Sequence, residues 1–256
     1  IRHFDLAVPD FDQQVEFYKN HWGLTVQHDD GDVVYFAAEG SPEQYVTRVR
    51  RSQDKRLDLV AFGAADRAAV DQLAQELGSK GIQLVSEPDS LQTLGGGYGF
   101  RFFDLEGRTI EVSADVETRQ HRKIEERESI PVRLSHVVLN SSQPEKMLAW
   151  YEQHLGFRLS DTLNHPHVGD LFYFLRCNSQ HHSMAIARGP EAGGPIEGGR
   201  VMISRYCIRR ELGACLLGPS GKSLPAELYL AADDDREKLR LQFDCAECQM
   251  HVIRDK

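Results

Sequence analysis

The chain carries one pattern twice. The segment "HFDLAVPDFDQQVEFYKNHWGL" (3–24) aligns without a gap on "HVVLNSSQPEKMLAWYEQHLGF" (136–157), with His3 and His136, Tyr18 and Tyr151, His21 and His154, and Gly23 and Gly156 all 133 positions apart. A repeat of this kind limits the fold more than any single motif. Each copy must be a supersecondary unit that buries an apolar face against its neighbours.

Within each copy the periodicity changes from strand to helix. "FDLAV" and "LSHVVL" read as short strands, and the apolar positions that follow fall at helical spacing: Val15, Tyr18 and Trp22, then Met147, Trp150, Tyr151 and His154. Asp10 and Ser142 are the predicted N-caps, with Pro144 accommodated in the first turn. The glycines of "HWGL" and "HLGF" stand where a helix end favours a left-handed residue. Aromatic strands follow at 33–38, 171–177 and 182–187, so the predicted unit is a strand, a helix and three strands.

A looser copy lies between the two. "LDLVAFGA" (57–64) reads as a strand, "DRAAVDQLAQELGSKG" (66–81) as an amphipathic helix closed by glycine, and 98–116 as two strands across the turn "DLEG". Residues 1–118 therefore hold two units and form a first domain. The charged stretch 117–129 reads as a linker or an exposed connecting helix, and a second domain is expected over 131–256. Its third unit spans 131–190. In 191–256 the expected fourth unit, a strand, a helix and a final hairpin, is not recognisable.

With 41% hydrophobic residues the chain can build a substantial core. Lys plus Arg total 30 against 39 Asp plus Glu, a formal charge of −9, which argues against nucleic-acid or anionic-membrane surfaces and favours a small-molecule partner. No apolar run approaches the roughly 20 residues needed to span a bilayer. The start "IRHFDLAVPD" lacks the basic and apolar regions of a signal peptide, and because it opens in strand-like sequence a few preceding native residues are expected. Five cysteines, an odd number, fit a reduced cytoplasmic location.

The units resemble the βαβββ modules of the vicinal oxygen chelate superfamily, which includes the glyoxalases. More narrowly, they are similar to two-domain type I extradiol dioxygenases of the catechol 2,3-dioxygenase kind. The motifs that carry the resemblance are "LSHVVL", "WYEQHLGF", "FYFLRCNSQHHSMAI" and "FRFFDLEGRTIEV", over residues 1 to about 190. The resemblance implies an α+β fold of paired modules, with a non-catalytic first domain and a second domain that binds metal. It further implies an oxidoreductase of aromatic catabolism: O2-dependent meta-cleavage of a catechol-type diol at non-haem Fe(II), or occasionally Mn(II). Two histidines and a glutamate hold one face of such a metal, leaving positions for the diol and for O2.

By the same resemblance His136 is the first metal ligand and His182 the acid–base group, whose near-neutral pKa suits proton transfer. Strand alternation predicts that His181 faces the other side. In the first domain His3 and Glu111 occupy ligand-like places, but Leu59 stands where a second histidine would be needed. The second histidine and the glutamate of the third and fourth units are not found in 191–256, where neither Glu227, Glu247 nor His251 has the expected context. The alternative reading is a metal-free or inactive binding protein whose fourth module has been replaced or frameshifted. A third module without its partner would expose an apolar sheet face, so a homo-oligomer is expected.

Three other motifs read as irregular segments. Cys207, Cys215, Cys245 and Cys248 lack the two tight pairs of a structural zinc site. "LLGPSGKS" (216–223) lacks the full spacing of a phosphate loop, and "GGGYG" (95–99) precedes a strand, so it offers no helix N-terminus.

Overall fold

The computed structural model describes residues 1–125, 128, 130–165 and 169–189, with the backbone of 239–244 and 249–254. By its contacts the chain divides into two compact units, one of 1–123 with 131–204 and the other of 124–130 with 205–256. None of the helices among the described residues is long and apolar enough to cross a membrane.

The first unit repeats one order of elements three times. The first module is β1 (His3–Val8), α1 (Phe11–Glu16), β2 (Thr25–Asp29), β3 (Val33–Ala37) and β4 (Thr47–Arg51). The second is β5 (Arg56–Gly63), α2 (Arg67–Ser79), β6 (Leu84–Ser90), β7 (Tyr98–Phe103) and β8 (Thr109–Ala114). The third is β9 (Val137–Ser141), α3 (Pro144–Leu155), β10 (Arg158–His165), β11 (Gly169–Arg176) and β12 (Met184–Arg188).

The first two modules join into one eight-stranded sheet, β2-β3-β4-β1-β5-β8-β7-β6, through the antiparallel β1–β5 pair. The third forms a sheet β10-β11-β12-β9, which matches the first half of the larger sheet strand for strand. Register repeats as well. Phe4 faces Thr47 in the parallel β1–β4 pair, and Val137, 133 positions after Phe4, faces Met184 in the parallel β9–β12 pair. This is the α+β architecture of paired βαβββ modules.

Alternation within each strand sends one set of side chains to the helices and the other to the opposite face. Phe4, Leu6 and Val8 join Phe11 and Tyr18 of the first helix in the main core, and Val137 and Leu139 join Met147 and Tyr151 in the same cluster. The Phe62 and Phe157 rings meet edge to face at 5.3 Å, which ties the third module's core to that of the second. Two helix ends follow the sequence pattern: Gly23 and Gly156 adopt φ of 71° and 66°. Two details differ. Gln143, not Ser142, caps α3, and α1 runs on as a π-helical turn, Phe17–His21. In that turn the Trp22 amide bonds the Phe17 carbonyl, and the wider turn lets Phe17, Tyr18 and Trp22 pack on one another.

Residues 117–125 form no regular element, so the connecting stretch is not a helix where it is described. Gly95, Gly96 and Gly97 all have positive φ and make the turn into β7, as expected of a segment that precedes a strand. At Gly97 an added Cβ would lie 2.6 Å from Val116 and 2.8 Å from the Ala114 carbonyl, so a side chain there has no room.

The second unit contains an antiparallel hairpin of β13 (Leu239–Asp244) and β14 (Gln249–Arg254), with Leu239 opposite Arg254. The sequence pattern did not reveal this hairpin. Cys207, Cys215, Cys245, Cys248, Glu227, Glu247, the segment 216–223 and the side chain of His251 lie outside the described residues.

Candidate functional site

The face of the sheet turned away from the helices carries the chemistry, and the repeat lets two versions of it be compared within one unit. In the first module His3 is 5% exposed and both of its ring nitrogens are occupied. Nδ1 lies 2.9 Å from Asp5 Oδ1, and Nε2 lies 3.0 Å from the Tyr45 hydroxyl and 3.8 Å from Glu111 Oε1. Arg48 pairs with Asp5 at 3.0 Å, and Arg101 donates to Glu111 at 2.9 Å. Burial alone would lower the His3 pKa, but attraction and hydrogen bonding to Asp5, then to Glu111, raise it to about 9. A protonated imidazole has no lone pair for a metal. Leu59, buried beside Asp5, adds none.

In the third module the same positions are apolar. Val138 stands where Asp5 does, and Ala185, its partner across β9 and β12, stands where Arg48 does. Phe174 faces Ala185 as Tyr35 faces Arg48, and His182 precedes Ala185 by three residues as Tyr45 precedes Arg48. The ring pairs keep their spacing, with centroids 4.2 Å apart for His3–Tyr45 and 4.3 Å for His136–His182. The ion network of the first copy is thus replaced by a patch of Val138, Phe172, Ala185 and Ala187, bordered by Leu163, Leu171 and Phe174. Phe172 and Phe174 lie nearly parallel, 6.1 Å apart.

His136 is 5% exposed and its Nδ1 has no hydrogen-bond partner. Burial, then the neighbouring His182 and His181, pushes its pKa down to about 3, so the ring is neutral and its lone pair is not committed to a proton. An unused buried nitrogen of this kind fits a metal ligand. His182 is also buried, and burial followed by the effect of His181 lowers its pKa to about 4. His181 is exposed where His182 is buried, yet the two rings stay in contact. Because β12 begins only at Met184, alternation does not govern His181 and His182, and their Nδ1 atoms approach to 2.8 Å. Among the described residues no group of three His, Cys, Asp or Glu side chains is placed to hold a metal ion. His136 is therefore one donor of an incomplete described set.

The arrangement agrees with comparison to known proteins. The model of the Glyoxalase/Bleomycin resistance protein/Dioxygenase superfamily matches residues 1–112 and 133–219. The chain belongs to this superfamily. The match continues past residue 190, where recognisable motifs stop. Among members of the superfamily, the chain is 27% identical over 215 residues to metapyrocatechase 2 of Cupriavidus necator, covering 75% of this chain and 62% of that protein. It is 26% identical over 185 residues to an iron-dependent extradiol dioxygenase of Rhodococcus jostii (strain RHA1), covering 65% and 60%. A solved Mn(II)-bound glyoxalase from Novosphingobium aromaticivorans is 40% identical, with a TM-score of 0.70, covering 74% of this chain and 62% of that one. The chain thus spans about 60% of the length of these relatives.

Proposed function

We propose that the chain belongs to an extradiol-type dioxygenase that cleaves a catechol-type diol with O2, and that the third module carries its working half-site. On this reading residues 1–118 are the non-catalytic pair and 131–256 the metal-binding domain. The observation that carries the proposal is the contrast between copies: His3 is protonated inside an ion network, whereas His136 is neutral, has an unpartnered nitrogen and adjoins an aromatic-bordered apolar patch.

His136 would hold Fe(II), or Mn(II), as the relatives named for these metals suggest. The metal, when bound, would favour the ionised diol and activate it toward O2. His182, neutral and beside His136, would accept the proton from a diol hydroxyl and return one later. Ala185 has a shorter side chain than Arg48, its counterpart in the first copy, and the rings of Phe172 and Phe174 would pack on a planar substrate.

Anaerobic Fe(II) loading followed by catechol turnover, read as the yellow ring-fission product, tests the proposal. Stoichiometric iron with turnover abolished in H136A is the expected result. Well-folded protein that binds no iron would overturn it. A second reading, a binding protein with a replaced or frameshifted fourth module, is favoured by the sequence of 191–256, which carries neither a motif resembling "LSHVVL" nor a closing segment resembling "DLEGRTIEV". Recovery of a second histidine strand and a closing glutamate in another reading frame past codon 190 would support a frameshift.

A further inference from the structure

The two copies of the sheet face differ in one consistent direction. Arg50 faces Ala7 across β4 and β1, and Ala187 faces Asn140, 133 positions after Ala7, across β12 and β9. Asp5, Arg48 and Arg50 are therefore exchanged for Val138, Ala185 and Ala187, so hydrocarbon replaces charge of both signs. Phe172 completes this patch, and none of the four is more than 8% exposed. Phe174 links it to the site, with its ring 5.0 Å from that of His182, which lies 4.3 Å from His136.

The charges around the patch offer nothing to an anion. Asp161, opposite Phe174, is itself a carboxylate. Arg188 is engaged by the Asp170 carbonyl and by Glu145, and Arg176 stands exposed at the end of β11, opposite Arg158. A carboxylate on the substrate ring would lose its hydration against Val138, Ala185, Ala187 and Phe172 without gaining a counter-charge from them. An alkyl or aryl group would gain from the same burial. We infer that the diol taken by this site carries hydrogen, alkyl or aryl groups at its remaining ring positions, and that a ring carboxylate excludes it. The inference rests on the dioxygenase reading and narrows its substrate class.

The first measurement is kcat/KM of the Fe(II)-loaded full chain for 3-methylcatechol and 3-phenylcatechol against 2,3- and 3,4-dihydroxybenzoate. The apolar diols should be favoured by about 100-fold or more. A187R, which puts a guanidinium where the first copy has Arg50, should narrow that ratio by about tenfold. Should A187R not fold by circular dichroism, L171R, at the half-buried border of the patch, makes the same change. Equal kcat/KM for the two kinds of diol overturns the inference, and so does a ratio that a folded variant leaves unmoved. A second readout needs neither iron nor turnover. In methyl spectra of the metal-free full chain labelled at alanine, 3-phenylcatechol should shift the signals of Ala185 and Ala187, assigned through A185G and A187G, and the dihydroxybenzoates should leave them in place. Shifts from both ligands, or from neither, also overturn it. If those shifts appear but no diol is turned over, the dioxygenase reading fails and the preference for an apolar ring stands.

Discussion

His3 and His136 hold the same place in two copies of one module, and the protein keeps them in opposite charge states. Both are buried, so solvent does not make the difference. The neighbours do: Asp5 and Glu111 surround His3 with carboxylates, while His136 has Val138 and the imidazole of His182 and no carboxylate among its described partners.

The charge on His3 has a consequence for stability. Its folded pKa of about 9 exceeds the ordinary value of 6.5, so the native state binds the proton more tightly than the unfolded chain. The resulting stabilisation, on the order of 3 kcal/mol, is complete below about pH 6.5 and disappears as pH rises through about 9. Thermal melting of the unaltered chain should therefore fall across that alkaline window. H3Q should melt lower at neutral pH and show a flatter profile; an identical slope in both would refute the assignment.

Arg108, in the "DLEG" turn region of the second module, binds Asp104 at 3.0 Å, Glu106, and the main-chain carbonyl of Asn140 on β9. Tyr151 of α3 donates to the same Asp104 at 3.2 Å. Asp104 is fully buried at its side chain, so R108A leaves a carboxylate with its main counter-charge removed. A loss of about 3–5 kcal/mol is expected in urea unfolding. Y151F, which removes one hydrogen bond and keeps the ring, should cost about 1 kcal/mol.

The repeat made the strand–helix starts of the first and third modules readable, because their apolar faces are spaced by burial alone. Strands such as β4, "TRVRR", were hidden, since only Thr47 and Val49 of its alternation are fully buried and the rest is charged. His136 and His182 were reached through family resemblance and do lie together. His181 is exposed where His182 is buried, as alternation predicts, but its hydrogen bond to His182 was not foreseen because a strand rule was applied three residues before the strand begins. The filling of the first site by Asp5 and Arg48 could not be read either, as it depends on register between β1 and β4, which no local pattern states.

The exchange of Asp5 and Arg48 for Val138 and Ala185 can be reversed. V138D combined with A185R would install the first copy's charge pair on the third module's patch and occupy the proposed substrate space. Catechol turnover of the iron-loaded chain should drop by about 100-fold or more, with the far-UV circular dichroism retained. Full turnover in a folded double variant would show that the substrate lies elsewhere.

H182Q separates metal holding from proton transfer. If His182 handles protons, kcat should fall by about 10²–10⁴ while the iron bound per chain stays unchanged. Parallel loss of iron would make His182 a ligand instead.

The bonds that Arg108 and Tyr151 make bear on where this polypeptide can be divided. A cut within 118–130 looks harmless in a linear map, yet it parts Tyr151 and the Asn140 carbonyl from Asp104 and Arg108. The first fragment would keep the Arg108–Asp104 ion pair without those hydrogen-bond partners, and each fragment would bear an uncovered aromatic surface, Phe62 on one and Phe157 on the other. Fragments so made would be mutually adhesive, and copurification of the two from one cell would reveal a seam that the sequence presents as a boundary.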